Sequence, residues 1–125
     1  MYTLDSSMQP VKTVEDATAL LKDIKKIIAT NKIWFNNRSA KNTQSLANLG
    51  ITVAMQIEII KDLAPTDYYC GPEPDEKYPD RAVAVFGYDF RGTELYIKFS
   101  IGLDGTAVVC LSFHESEYPM QYPFN

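Results

Sequence analysis

The segment from Thr93 to His114, TELYIKFSIGLDGTAVVCLSFH, predicts a two-stranded β-hairpin. Apolar and polar residues alternate in its first half, which is typical of a strand with one buried face. Its second half is another apolar run, and the segment Leu103–Gly105 between the runs predicts a bulged hairpin turn with Gly105 left-handed. The resulting register places large apolar residues opposite one another: Leu95 with Phe113, Ile97 with Leu111, and Phe99 with Val109.

The same register gives the hairpin a polar second face. We expect Tyr96 to lie opposite Ser112, and Glu94 to lie opposite His114, the only histidine in the chain. Tyrosine, lysine, serine and histidine at neighbouring positions form a group that can carry chemistry. The predicted polar face consists of Glu94, Tyr96, Lys98, Ser100, Thr106, Cys110, Ser112 and His114.

Apolar residues at helical spacing predict helices before the hairpin. In TVEDATALLKDIKKIIATN, Thr13 is the expected N-cap and Asp16 completes a capping box. SAKNTQSLANLG is a short helix that ends at Gly50. TVAMQIEIIKDLAP is a helix capped by Thr52. Its expected inward face consists of Val53, Ile57, Ile60 and Leu63.

Helices followed by strands indicate an α+β fold, with a small antiparallel sheet packed against two to three N-terminal helices. RAVAVFG predicts a central strand, and Ile33–Phe35 predicts a short extended segment with Trp34 in the core. The chain is expected to be one domain, 1–125, divided into a lead-in (1–12), a helical part (13–64), a Pro- and acid-rich loop (65–80), the sheet (81–114) and an extended tail (115–125). In the tail, Met120, Tyr122 and Phe124 are expected to pack on the domain.

The composition is that of an ordinary globular domain, with 46% hydrophobic and 22% charged residues among 125. The sequence shows no membrane-spanning segment and no leader pattern, so we expect a cytoplasmic protein. Two cysteines and a single histidine predict reduced thiols, no metal site and no cofactor. A net charge of −4 argues against a protein whose whole surface binds nucleic acid, and we expect no binding of DNA by the chain on its own. Basic residues nevertheless cluster between Lys22 and Lys41.

Histidine is the side chain type that gains and loses a proton near neutral pH. RNA needs little more, because its 2′-hydroxyl can attack the adjacent phosphate once a base takes its proton and cations balance the added charge. His114 can be that acid or base, and Lys98 or Arg38 can stabilise the phosphate. Tyr96 can hydrogen-bond a phosphate or stack on a base. A lone histidine at a strand end is more often structural, so both interpretations stay open at this point.

Several motifs, taken in order, resemble the motility quorum-sensing regulator toxin family (MqsR-like toxins). They are IWFNNRSAKNTQSLANLGIT, DYYCGPEPD, VAVFGYDFRGTELYIK and CLSFHESEYPMQYPF, and the resemblance extends from about Val14 to Phe124. It implies a RelE-like fold and a metal-independent endoribonuclease that cuts messenger RNA. It also implies a partner antitoxin that neutralises the toxin.

The resemblance further implies roles for individual residues. Tyr96 and Lys98 match the family's Y-[IL]-K strand, and His114 stands where the best-known members carry lysine. Cys70 stands where the family has another basic residue, and RAVAVFG has no clear equivalent of a family glutamine.

Together, the residues and the resemblance predict a toxin whose catalytic residues are His114, Tyr96 and Lys98. The predicted substrate-binding residues are Arg38, Lys41 and Ser112. The expected partners are a cognate antitoxin and an RNA substrate, with no membrane, metal or cofactor. The alternative is a non-catalytic RelE-like module that binds a protein through the acidic loop Glu73–Asp80, or binds RNA through Lys22, Lys25 and Lys26.

Overall fold

The computed structural model describes residues 10–30, 33–103 and 107–125. In chain order the elements are α1 (Val14–Thr30), β1 (Trp34–Phe35), α2 (Ala40–Leu49), α3 (Val53–Asp62), β2 (Tyr68–Pro74), β3 (Arg81–Phe90), β4 (Thr93–Gly102) and β5 (Val108–Glu115). A 3-10 turn, Pro65–Asp67, links α3 to β2. None of these helices is long and apolar enough to cross a membrane.

The predicted helices are confirmed together with their caps. Thr13 and Asp16 form the reciprocal capping box of α1, in which each side chain accepts from the other residue's backbone N–H at 3.1 Å. Ser39 caps α2, which ends at Gly50 with φ 67°, a left-handed conformation that favours glycine. Thr52 caps α3 by accepting from Met55 N at 3.2 Å.

The strands form one sheet in the order β1-β5-β4-β3-β2, and the α+β fold is confirmed. The sheet is antiparallel except at one edge, where β1 runs parallel to β5. The predicted antiparallel pairing of the C-terminal strands is therefore confirmed, and the short extended segment expected at Ile33–Phe35 joins this sheet as the parallel strand β1. This strand comes before the helices α2 and α3, and a connection of that length allows a parallel pairing.

The predicted loop 65–80 contains an edge strand, so its assignment as loop throughout was wrong. Tyr68 pairs with Phe86 and Cys70 pairs with Val85, with register shifts on either side of Cys70. Prolines are tolerated in β2 because an edge strand has one side without a neighbouring strand, and bulges accommodate residues that cannot join the ladder.

The predicted register of the β4–β5 hairpin was also wrong. Near the turn Phe99 pairs with Cys110, but beyond a bulge at Leu111 Lys98 pairs with Ser112. The Gly102 N–H donates to Ala107 O at 3.0 Å, a bond that does not belong to the predicted three-residue loop. The predicted conformation of Gly105 lies outside the described residues. A bulge adds a residue without interrupting the apolar pattern, so counting opposed apolar residues does not reveal it.

The helices cover one face of the sheet, which we call the covered face, and the core lies between them. α1 contributes the buried residues Ala17, Leu20, Leu21, Ile24 and Ile27. The sheet contributes, among others, Phe86, Leu95, Ile97, Phe99, Ile101, Val108 and Phe113, each at most 1% exposed. The opposite face, called the open face, carries the alternate residues of the same strands.

The burial of individual side chains agrees with the prediction at some positions and differs from it at others. Ile60 and Leu63 of the helix α3 region are buried as expected, but Val53 is 53% exposed because it lies in the first turn, at the helix end. Trp34 is 65% exposed, since Phe35 is the β1 residue that packs against the core. Cys110 belongs to the core at 1% exposure, because the true register places it opposite Phe99.

Candidate active site on the open face

Four polar residues of β4 and β5 form a block on the open face, which we call the polar quartet. Tyr96 pairs with His114, and Lys98 pairs with Ser112. Opposed residues point to the same side of a sheet, and residues two apart on one strand also share a side. The quartet residues therefore adjoin one another, and all are half-buried. The sequence placed them on one face but assigned the wrong partners: Tyr96 does not lie opposite Ser112.

The aromatic rings of Tyr96 and His114 stack, with centroids 5.2 Å apart and an interplanar angle of 13°. His114 Nδ1 lies 2.8 Å from the backbone oxygen of Glu115. A carbonyl oxygen only accepts, so Nδ1 carries the hydrogen and donates it. The neutral ring then presents an unprotonated Nε2, which can act as a base, and the protonated ring presents Nε2–H, which can act as an acid.

A cavity of about 360 Å³ adjoins this stack. Tyr96 and His114 line it together with Lys41, Tyr69 and the first part of the C-terminal tail, Ser116–Met120. Lys41 and Glu117 form an ion pair across the cavity lining. Their hydrogen bond raises the pKa of the Lys41 ammonium and lowers the pKa of the Glu117 carboxyl. Lys41 is therefore a cation beside the stack, but one that already has an acidic partner.

Burial raises the pKa of Tyr96, and Cys70 and Tyr69 raise it further. Tyr96 is therefore a neutral phenol near pH 7, able to donate a hydrogen bond but not to serve as a base. Burial likewise raises the pKa of Cys70, with Glu73 raising and Lys98 lowering it. A neutral thiol near Lys98 thus occupies the position for which the resemblance implies a basic residue.

The C-terminal tail is tied to the open face through Glu94. The Glu94 carboxylate accepts hydrogen bonds from Met120 N at 2.9 Å and from the Tyr122 hydroxyl at 2.8 Å. His114 pairs with Tyr96, so the prediction that Glu94 lies opposite His114 was wrong. Gly87 lies under the Tyr122 ring, and a Cβ there would stand 1.9 Å from the hydroxyl oxygen. The glycine therefore allows the tail to form one wall of the site.

Further along, the tail packs as the sequence indicated. Phe124 lies against Tyr68, with ring centroids 5.5 Å apart, and Met120 and Tyr122 are half-buried.

Lys98 also lines a larger groove of about 820 Å³ on the open face. Its lining includes the apolar side chains of Val83, Val109 and Leu111, and an acidic wall formed by part of the segment 73–78. Arg81 reaches this groove, but its guanidinium donates to the side chain and backbone oxygens of Ser100 at 2.6 and 2.8 Å. Lys98 therefore lies where the groove meets the polar quartet.

The predicted basic segment does not gather at the quartet. Lys22, Lys25 and Lys26 lie on α1, which packs against the covered face. The Lys25 ammonium donates to the backbone oxygens of Lys61 and Leu63 at 2.8 and 2.6 Å, so it stabilises the end of α3. The hypothesis that this segment lies beside the polar sheet face was wrong for α1, because its apolar stripe faces the core and turns its lysines away.

Arg38 is exposed in the turn between β1 and α2, and it lines neither the cavity nor the groove. The structure therefore brings together His114, Tyr96, Lys98, Ser112 and Lys41, but not Arg38.

Sequence reasoning missed Tyr69 and the Glu117 carboxylate as parts of the site. The pair Tyr68–Tyr69 held a usable signal, since adjacent residues of a strand point to opposite faces. Tyr68 is 6% exposed in the core, whereas Tyr69 is 36% exposed and lines the cavity. Glu117 gave no such signal, because its place depends on how the tail folds back.

The described part of the chain contains no group of three or more His, Cys, Asp or Glu residues placed to hold a metal ion.

Comparison with known proteins bears on this site. No curated protein matches the chain. The family model described as "Motility quorum-sensing regulator, toxin of MqsA" matches residues 16–115, which include β1 to β5 and the whole polar quartet. The tail that walls the cavity follows the matched region. The chain therefore belongs to the motility quorum-sensing regulator toxin family: it is the toxin of a toxin–antitoxin system, and the family name implies an antitoxin partner, MqsA.

Proposed function

We propose that the protein is a metal-independent endoribonuclease that cleaves messenger RNA by attack of the 2′-hydroxyl. The observation that carries this proposal is the His114–Tyr96 stack beside Lys98, with Nδ1 engaged by the Glu115 carbonyl. A histidine oriented through one nitrogen leaves the other for proton transfer. An ammonium on the same sheet face supplies the charge that a phosphate substrate requires.

In the proposed reaction, O2′ bonds to phosphorus and the bond from phosphorus to O5′ breaks. His114 Nε2 takes the proton from the 2′-hydroxyl or delivers a proton to O5′, and water exchanges the other proton. Lys98 balances the charge that builds on the phosphate oxygens. The neutral Tyr96 phenol positions the phosphate through a hydrogen bond. The products are a 2′,3′-cyclic phosphate and a 5′-hydroxyl end.

The remaining predicted residues take supporting roles in this proposal. Ser112, opposite Lys98, offers its hydroxyl to the same phosphate. Lys41 contacts a neighbouring phosphate of the RNA once its ion pair with Glu117 breaks. Arg38 contacts a phosphate farther along the RNA. The groove lined by Val109 and Leu111 receives a flanking base. Messenger RNA as substrate implies action in the cytoplasm.

The larger groove favours a second candidate, a non-catalytic protein-binding module. Glu73, Asp75 and Glu76 line the groove, and these carboxylates suit a basic segment of a partner protein. This candidate predicts that Glu73→Gln together with Glu76→Gln weakens binding of the antitoxin, while His114→Ala leaves it unchanged. Titration calorimetry with purified antitoxin tests the role of these carboxylates, and RNA cleavage separates the two candidates, because the binding module cleaves no RNA.

The proposed chemistry is tested by incubating the purified toxin with a long single-stranded RNA in EDTA. We expect cleavage without divalent cations, and cleaved ends that carry a 2′,3′-cyclic phosphate. A substrate with 2′-deoxyribose at the mapped site is the matched control, and it should remain intact. Dependence on Mg²⁺, a 5′-phosphate product, or no cleavage either of free RNA or on translating ribosomes would contradict the proposal.

A further inference from the structure

The outer edge of β5 is paired with a strand along only part of its length. β1 pairs at Val109 and Cys110, and the last ladder bond runs from Asn36 N to Cys110 O at 2.9 Å. β5 continues to Glu115, so its backbone groups beyond Cys110 need other partners. If these N–H and C=O groups had no hydrogen-bond partners beside α2, the folded protein would be less stable.

Two side chains of α2 supply those partners. Asn42 donates from Nδ2 to Leu111 O at 3.1 Å and accepts at Oδ1 from Phe113 N at 2.9 Å. Ser45 accepts at Oγ from Glu115 N at 3.0 Å. The two residues are three apart on α2 and therefore share one side of the helix. They serve alternate residues of β5, as a neighbouring strand would.

Asn42 is the more deeply placed of the two, at 1% exposure. Its Nδ2 also donates to Asn36 O at 2.5 Å. This one side-chain amide therefore hydrogen-bonds the backbone of Asn36, directly after β1, and the backbones of the two β5 residues that flank Ser112. Such an amide is fully satisfied only when these backbone groups hold their observed positions.

This arrangement coincides with the β-bulge. Cys110 O and Leu111 O both point to the outer edge, where Asn36 and Asn42 bind them. Successive carbonyls of a regular strand point to opposite edges, so the pair can share an edge only because the strand is bulged. Asn42 binds the second of these carbonyls and thereby stabilises the bulged form.

The bulge decides where the histidine lies. If the pairing of Phe99 with Cys110 continued without the extra residue, Tyr96 would face Phe113 and His114 would fall opposite Leu95, on the covered face. With the bulge, Phe113 enters the core and His114 stacks on Tyr96.

We propose that Asn42 and Ser45 are positioning residues of the site: α2 acts as a surrogate strand that holds β5 in the bulged register and so sets His114 against Tyr96. The catalytic consequence rests on the proposed function, whereas the structural consequence does not. Neither residue contacts the reacting atoms in this scheme.

The test uses the fact that the chain has one histidine, so its imidazole C–H protons give unambiguous NMR signals in the untagged protein. The Tyr96 ring stacked on the imidazole shifts these signals upfield. Tyr96→Leu provides the unstacked reference. We expect Asn42→Ala to move the signals more than half of the way to that reference, and Ser45→Ala to move them by a smaller, resolved amount. Ala47→Ser, at an exposed position of the same helix, should leave them at the wild-type position.

A folded Asn42→Ala protein whose histidine signals stay at the wild-type position would overturn the proposal. If Asn42→Ala does not fold, Ser45→Ala decides the matter, and unmoved signals in that variant overturn it. The cleavage assay adds a second readout: displacement of His114 should lower kcat about 100-fold, with a smaller change in KM. Wild-type protein that cleaves no RNA would refute the proposed function but not the positioning, since the NMR signals report the register without substrate.

Discussion

The covered and open faces of the sheet are built from the same strands, but the first stabilises the fold and the second carries the candidate site. On β4 the covered face carries Leu95, Ile97 and Phe99, each 0% exposed, whereas Tyr96 and Lys98 between them are half-buried and polar. Burial of the first set stabilises the fold. The second set forms the candidate site and contributes little apolar burial. Residues that stabilise the fold therefore alternate along β4 with residues of the candidate site, so substitutions can test stability and chemistry independently.

The largest expected effect is on the covered face. Phe99→Ala removes a fully buried ring and should lower the free energy of unfolding by about 3–5 kcal/mol, because the cavity cannot collapse completely. The matched control is Trp34→Ala, a larger aromatic that is 65% exposed and should cost about 0.5 kcal/mol or less. Urea unfolding followed by circular dichroism measures both. Similar losses for the two variants would contradict the assignment of the faces.

A smaller effect is expected where the tail meets the open face. Gly87→Ala places a methyl group where the Tyr122 hydroxyl lies, so we expect a loss of about 1–3 kcal/mol and faster proteolysis of the tail. In a Tyr122→Ala background the same change should cost almost nothing, because the obstructing ring is absent. Additive losses in the double variant would show that the tail does not cross Gly87.

The smallest expected effect is a difference in unfolding free energy between substitutions of two lysines of α1. Lys25→Ala removes two hydrogen bonds to backbone oxygens at the end of α3 and should cost about 1 kcal/mol. Lys26→Ala, an exposed neighbour, should stay within about 0.5 kcal/mol. Neither change should alter the salt dependence of RNA binding, because α1 packs against the covered face. A weaker salt dependence in either variant would favour the RNA-binding alternative.

Local signals made the helices predictable from sequence. The Thr13–Asp16 capping box, the Thr52 cap and the left-handed Gly50 depend on residues a few positions apart, and each is present. The alternation in β4 likewise predicted which residues share a face. Such signals survive because tertiary packing reinforces them.

Features set by distant partners could not be predicted. The bulge at Leu111 depends on Asn42, far away in sequence, and an asparagine within a short helix gives no sign that its amide serves a strand. Trp34 looked like a core residue because the orientation of a strand as short as β1 cannot be derived from its pattern. Lys25 looked like a surface cation, since its partners are backbone oxygens beyond α3.

Whether the chemistry takes place on the open face at His114 is decided by initial rates of RNA cleavage in EDTA for wild type, His114→Ala and the control Lys26→Ala, all prepared in parallel. We expect His114→Ala to lose at least about 100-fold in rate while keeping the wild-type urea midpoint, and Lys26→Ala to cleave like wild type. Equal rates for wild type and His114→Ala would show that another group carries the reaction.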